Sequence, residues 1–248
     1  MLGKILNDRE SWKMKMWMQF GIITLTVLVA FAGLAVAQDE GSEEKAEVPE
    51  GWEPIGIEVP EEFFGGTPLD YWGPNLEPES YVDREPYFAP AGVKNVALEA
   101  KVTGSTDPLT GDLEQVTDGD KHYAKTSTLE LGPGTQWVQV DLGAEHEIYA
   151  VVVWHFHEGK RVYFDFVVQA SNDAEFNDGV TTLYNSDHDN SSGLGVGEDK
   201  EYVEDNEGRL VAAGGKAKAQ YVRCYTNGNT ANENNHYVEV EVWGKKAG

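Results

Sequence analysis

From Ala91 onward, apolar and polar residues alternate in short runs that are separated by clusters of Gly, Asp, Asn and Ser. In WVQVDLG, Val138, Val140 and Leu142 fall on one face of an extended chain and Trp137, Gln139 and Asp141 on the other, the period-two pattern of a half-buried strand. The run EIYAVVVWHFH is apolar on both faces through Trp154, as a central sandwich strand would be. Together these read as two strands around a turn at LGAEHE. In RVYFDFVVQAS, Val162, Phe164, Phe166 and Val168 alternate against Tyr163, Asp165, Val167 and Gln169; AQYVRCYTNG and HYVEVEVWG complete the set. STDPLTGD, SNDAEFNDG and TNGNTANENN carry turn chemistry, and no helical period competes. Short strands at this spacing predict an all-β, antiparallel sandwich or jelly roll.

The chain before Ala91 has another texture. Lys13 and Lys15 precede an apolar run that closes on Ala35-Val36-Ala37 and is followed by QDEGSEE, which predicts a secretory signal over 1–37. Met16 to Ala37 is also long enough to cross a bilayer, so an uncleaved anchor is the competing reading. Residues 38–90 form an arm that begins acidic and nearly free of apolar groups, a composition that predicts disorder. Its later part mixes frequent prolines with Trp52, Phe63, Phe64, Tyr71, Trp72, Tyr87 and Phe88. Proline at this density forbids long helices and central strands, while so many aromatics predict that part of the arm lies on the domain at 91–248.

Charge narrows the partners. The chain carries 43 acidic against 19 basic groups, a formal net charge of −24, and loss of 1–37 would leave the acidity in the exported part. Such a surface repels nucleic-acid phosphate and anionic lipid, so neither nucleic-acid binding nor lipid docking is expected. Cys224 is the only cysteine, which excludes an intramolecular disulfide; alternation around it predicts a buried strand thiol.

The order NVALEAKVTGST, VTDGD, QWVQVDLG, VVQASND, YVRCYTNG and VEVEVWG resembles the discoidin domain, the coagulation-factor type C group of the galactose-binding-like superfamily, over about Asn95 to Gly244. The resemblance implies a jelly roll of about eight strands with ligand loops at one end. It also implies a non-catalytic role in binding sugars, as in bacterial secreted members. The chain departs from it in KHYAKTS after the Asp-Gly pair, in lacking a disulfide, and in the long segment from Asn185 to Arg209.

The resemblance further implies a structural calcium ion where the Asp-Gly turn meets the last strand, which points to Asp118, Asp120 and Glu239. Calcium takes six to eight oxygens, and a turn offers carbonyls as well as carboxylates; a plain turn beside a solvated edge strand is the bland alternative. In DHDNSSGLGVGE, Asp187, Asp189, Ser191 and Glu198 fall at positions 1, 3, 5 and 12 of an EF-hand-like count, but glycine is displaced and the flanks are not helical. His155 and His157 share a face of an extended chain and stand as zinc ligands, as acid and base, as satisfied strand-end residues, or as ligand contacts. No third metal ligand or nucleophile is spaced to complete an enzyme signature. If the loops converge, His155, His157, Tyr163, Arg223, Asn234, Asn235 and His236 would supply the directional polar groups a glycan or polysaccharide requires. A protein-interaction or structural envelope domain, docking another envelope protein through the arm, is the alternative function.

Overall fold

The computed structural model describes residues 48–63, 71–80 and 82–248; the expected signal over 1–37 and the acidic run to residue 47 lie outside them. The described strands are β1 (Trp52–Pro54), β2 (Phe88–Pro90), β3 (Lys94–Asn95), β4 (Lys101–Gly104), β5 (Leu129–Leu131), β6 (Gln136–Trp154), β7 (Val167–Ser171), β8 (Thr181–Asn185), β9 (Arg209–Thr226), β10 (Asn235–Tyr237) and β11 (Glu239–Lys246). Helical structure among the described residues is confined to two 3-10 turns, Leu113–Thr117 and Lys125–Ser127. One hydrogen-bonded sheet runs β3–β11–β6–β9–β7–β8, with β4 also on β6; β1 pairs β2, and β10 pairs β5. Every one of these ladders is antiparallel.

LGAEHE is not a turn between two strands but a bend within one strand of 19 residues. β6 stays paired with β9 from Gln136↔Thr226 to Val153↔Arg209, with register shifts at Asp141/His146 and Ile148/Ala150. Gly143 adopts φ +71, and its amide donates back to Asp141 Oδ1 at 2.8 Å; Gly214 and Gly215 of β9 take φ +59 and +75. Extra residues at such bulges sharpen twist without ending the ladder. The bend puts Val138 and Val140 in one core with Val151, Val153, Val168, Val222, Val240 and Val242, so the halves of β6 face each other as the two layers of a jelly-roll sandwich. The run at RVYFDFVVQAS is also shorter than its alternation suggests: Asp165 takes φ +52, which breaks the extended chain, and β7 begins only at Val167.

The arm accounts for the strand that is apolar on both faces. Ala150, Val152, Trp154, Val238 and Trp243 form a second apolar cluster with Ile55 and Ala89. Trp154 is fully buried there, and its indole N–H donates to Asn206 O at 2.9 Å. Polar contacts pin the arm in register. Tyr87 donates to Tyr149 O at 2.9 Å, Arg84 to the carbonyls of Gly208 and Glu207 at 2.9 and 3.1 Å, and Arg209 grips Glu77 with two nitrogens at 2.6 and 3.1 Å.

Candidate functional site

Where β6 ends at Trp154, the chain turns inward instead of continuing the strand. His155 is fully buried: its backbone N–H donates to Glu204 Oε1 at 3.2 Å, and its Nδ1 lies 3.0 Å from Glu204 Oε2 and 3.2 Å from the Tyr202 hydroxyl. Its ring stacks on Tyr163 at 4.4 Å, meets Phe166 edge-on at 5.0 Å and lies tilted against Tyr237 at 5.1 Å. His157 is 5% exposed, and burial lowers its pKa. His236 is 7% exposed with Nε2 3.6 Å from Glu130 Oε1; burial, with the nearby Arg161 charge, lowers its pKa to about 4. His155 Nε2, both ring nitrogens of His157 and His236 Nδ1 have no hydrogen-bond partner. Burial likewise raises the Tyr163 phenol well above its ordinary value.

The asparagines shape the same end. Asn235, fully buried, donates to Gly132 O and Gly134 O at 2.7 and 3.0 Å and accepts from the Gly228 amide at 2.8 Å, stapling two loops. Asn234 is half-buried and donates to Glu130 Oε1 at 2.6 Å. Arg223 lies elsewhere, on the outer face of β9. It is sandwiched between Trp137 and Phe176, at 4.0 and 4.1 Å to the ring centroids, and it donates to Gln139 Oε1 and Ala174 O at 2.8 and 3.0 Å. Thus His155, His157, Tyr163, Asn234, Asn235 and His236 come together at one pole, mostly beneath its surface, and Arg223 does not join them.

The surface of that pole carries two clefts that meet at Phe164 and Asn227. One, of about 450 Å³, is lined by Tyr71, Asn75, Asp165, His188, Ser191 and Glu201 among others. The second, of about 510 Å³, runs along Pro133–Gly134 and the 228–233 loop. None of the seven sugar-contact residues named from the sequence lines either cleft. Phe164 is half-buried, and its backbone is held to the neighbouring loop by Phe164 N–H to Gly228 O at 3.1 Å and Asn227 N–H to Phe164 O at 2.9 Å. Asp165 Oδ2 accepts from Asn227 and Ser191 at 2.8 and 2.6 Å. The sequence signal for this surface was the unusual length of the segment from Asn185 to Arg209, which supplies Ser186, His188, Asp189, Ser191 and Glu201. Phe164 was missed because strict alternation assigns it to a core face.

Two carboxylate groups have oxygen-donor character. Gly119 of the Asp-Gly turn donates to Glu239 Oε2 at 3.1 Å, so the turn does touch the last strand. Glu239 is fully buried with Oε1 unpartnered. Burial, reinforced by Glu241 and Asp118, raises its pKa to about 8 against the Gly119 amide and Lys121. Asp118 Oδ1 accepts from the Asp120 amide at 2.8 Å, while Asp120 accepts from Ser127 at 2.7 Å and from the His122 amide at 2.9 Å. Glu241 is buried too, paired with Lys121 at 2.6 Å and with the Trp243 indole at 2.8 Å. In the second group, Asp187 and Asp189 are joined by Asp165, with ligand atoms within 4.8 Å of one another, whereas Glu198 is exposed on the loop. Asp187 is fully buried and accepts from the amides of Ser191 and Ser192, both at 3.0 Å, and from the Ser192 hydroxyl.

No curated protein matches the chain. Among solved structures it is similar to a family 89 glycoside hydrolase from Clostridium perfringens, at 18% identity and TM-score 0.46, covering 62% of this chain and 15% of that enzyme. It is also similar to chitosan-binding module 1 of a chitosanase/glucanase from Paenibacillus sp. IK-5, at 21% identity and TM-score 0.41, covering 60% and 98% of the two chains. A third is a fucolectin from striped bass, Morone saxatilis, at 18% identity and TM-score 0.45, covering 63% and 50%. The model of the NedA-like, galactose-binding domain matches residues 115–224, the stretch from the first 3-10 turn to β9. Residues 115–224 are thus similar to the galactose-binding-like family that this model describes.

Proposed function

We propose that the chain is an exported, non-catalytic glycan-binding protein that takes a hexose of the galactose type in the clefts beside Phe164. The observation that carries the reading is the meeting of two clefts, one mainly polar and one with more apolar than polar surface, at one half-buried aromatic ring, at the loop pole of a domain matching a galactose-binding family. A sugar presents C–H patches that suit an aromatic face and hydroxyls that suit directional amides and carboxylates; Phe164, Asn227, Asp165 and Asn229 offer that combination. His155 with Glu204 is the most enzyme-like pair at this pole, but both are buried beneath it and reach no surface ligand. The histidine cluster supports the loops, and the leader over 1–37 supports export.

A structural calcium ion at the Asp-Gly turn belongs to the same proposal. The unpartnered Glu239 oxygen, beside Asp118, fits a hard cation that prefers oxygen donors. Glu239 and Asp118 would hold it together with carbonyls of the turn, since both Asp120 oxygens are already engaged by the His122 amide and Ser127, and it would supply positive charge to a buried carboxylate while tying the turn to β11. The envelope-protein alternative loses ground only in part, because Ile55 and Ala89 of the arm are already used on β6.

Titration calorimetry of the protein against galactose, glucosamine and glucuronate tests the reading. Galactose binding that weakens about tenfold, ~1.4 kcal/mol, in Phe164→Ala supports it. Silence with all three sugars, or indifference to Phe164→Ala, overturns it.

A further inference from the structure

We infer that residues 71–75 of the N-terminal arm form a wall of the ligand site, with Trp72 as the stacking face for a second sugar ring. This rests on the reading of the Phe164 clefts as a glycan site. The family match begins at residue 115, so nothing in it assigns a role to the arm. Yet Tyr71, Gly73, Pro74 and Asn75 line the 450 Å³ cleft opposite Asp165 and Ser191.

The segment is held in place by the long 186–208 loop. Glu201 N–H donates to Asn75 O at 3.0 Å and Glu77 N–H to Glu201 O at 2.9 Å, making a parallel bridge at Leu76↔Glu201. Lys200 Nζ donates to Pro74 O at 3.0 Å, and the Tyr71 hydroxyl donates to Glu201 Oε2 at 3.0 Å. The Tyr71 ring meets Phe164 edge-on at 5.7 Å, which couples the arm directly to the aromatic floor of both clefts. Trp72 sits between two lining residues and is 87% exposed, the most exposed of the large apolar side chains described. A tryptophan that packs on nothing at the rim of a polar cleft has the area and the π-face to engage a ligand. Because its immediate neighbours line the cleft, its reach is to the next unit of an extended ligand rather than to the first.

Calorimetry with galactose and with a galactose trisaccharide, on the protein expressed with its own leader, tests this. Wild type is expected to bind the trisaccharide about tenfold tighter than galactose. Trp72→Ala should remove that gain while leaving galactose affinity and Tm unchanged, and Trp72→Phe should restore most of it. Tyr71→Ala should weaken both ligands. A gain that persists in Trp72→Ala, or wild type that binds the trisaccharide no better than galactose, overturns the role of the arm while leaving the Phe164 site standing. Absence of binding to either ligand in wild type removes both together.

Discussion

The amide of Gly119 donates to Oε2 of Glu239 at 3.1 Å, closing a contact between residues 120 apart in the chain. The other oxygen of that carboxylate is buried without a partner. An unpaired buried carboxylate is costly, and a cation that binds only the folded state stabilises it by mass action. Calcium in excess is expected to raise Tm of the metal-free protein by several degrees, and chelation to reverse the rise. Glu239→Gln should abolish the response. Equal shifts in wild type and variant would place the ion elsewhere, with the Asp165–Asp187–Asp189 group as the next candidate.

Acid should unfold this domain earlier than a histidine-free sandwich. His236 is held down to about 4 and His157 is lowered, both by burial. A depressed histidine is neutral in the fold and takes its proton first in the unfolded chain. Its contribution is therefore whole above the unfolded value near 6.5 and is lost as pH falls toward the folded value. For His236 that window is about 6.5 to 4, and the loss is on the order of 3 kcal/mol. Denaturant melts across the window should steepen with acid in wild type, and His236→Gln should flatten part of the slope. An unchanged slope would refute the assignment.

The periodic core was legible because alternation depends only on neighbours along a strand. Val138 and Val140 are fully buried as their alternation implies, and the run through Trp154 that is apolar on both faces packs into two apolar clusters, one of them completed by the arm. Depth at the loop pole was not legible. His155 is buried by Tyr202 and Glu204, and Asn235 by loops around Gly132 and Gly228; neither cover is adjacent in sequence. Directional polar residues gathered at a strand end look alike whether they face a ligand or hold the loops that do. Asp165 at φ +52 hid the rest, since a single left-handed residue turns Phe164 from core toward the clefts.

Arg223 should behave as a structural residue. Its guanidinium lies between Trp137 and Phe176 and shares Gln139 and Ala174 as acceptors. Lysine cannot stack as a plane or form this fork. Arg223→Lys is expected to cost roughly 2 kcal/mol, a fall in Tm on the order of 5 °C, with sugar affinity of the folded protein unchanged. Calorimetric melts paired with sugar titration read both quantities. Lost affinity at unaltered Tm would return Arg223 to the ligand site.

Removing the arm should damage the sandwich. Ile55 and Ala89 cover Ala150, Val152, Trp154 and Trp243, and Trp154 is fully buried. Each large apolar side chain returned to water costs about 1.5–3 kcal/mol, so two or three consume much of a stability of about 5–15 kcal/mol. Arg209 would also lose Glu77, its bidentate partner, beside the rings of Tyr184 and Tyr202. The truncated protein is therefore expected to bind a hydrophobic dye and to melt at lower temperature with weaker cooperativity. Point substitution at Glu77, which spares the apolar cover, should produce only a small part of that loss. If the truncated chain melted as sharply and as high as the whole, the arm would be a passenger on β6, and the apolar outer face of that strand would need another cover.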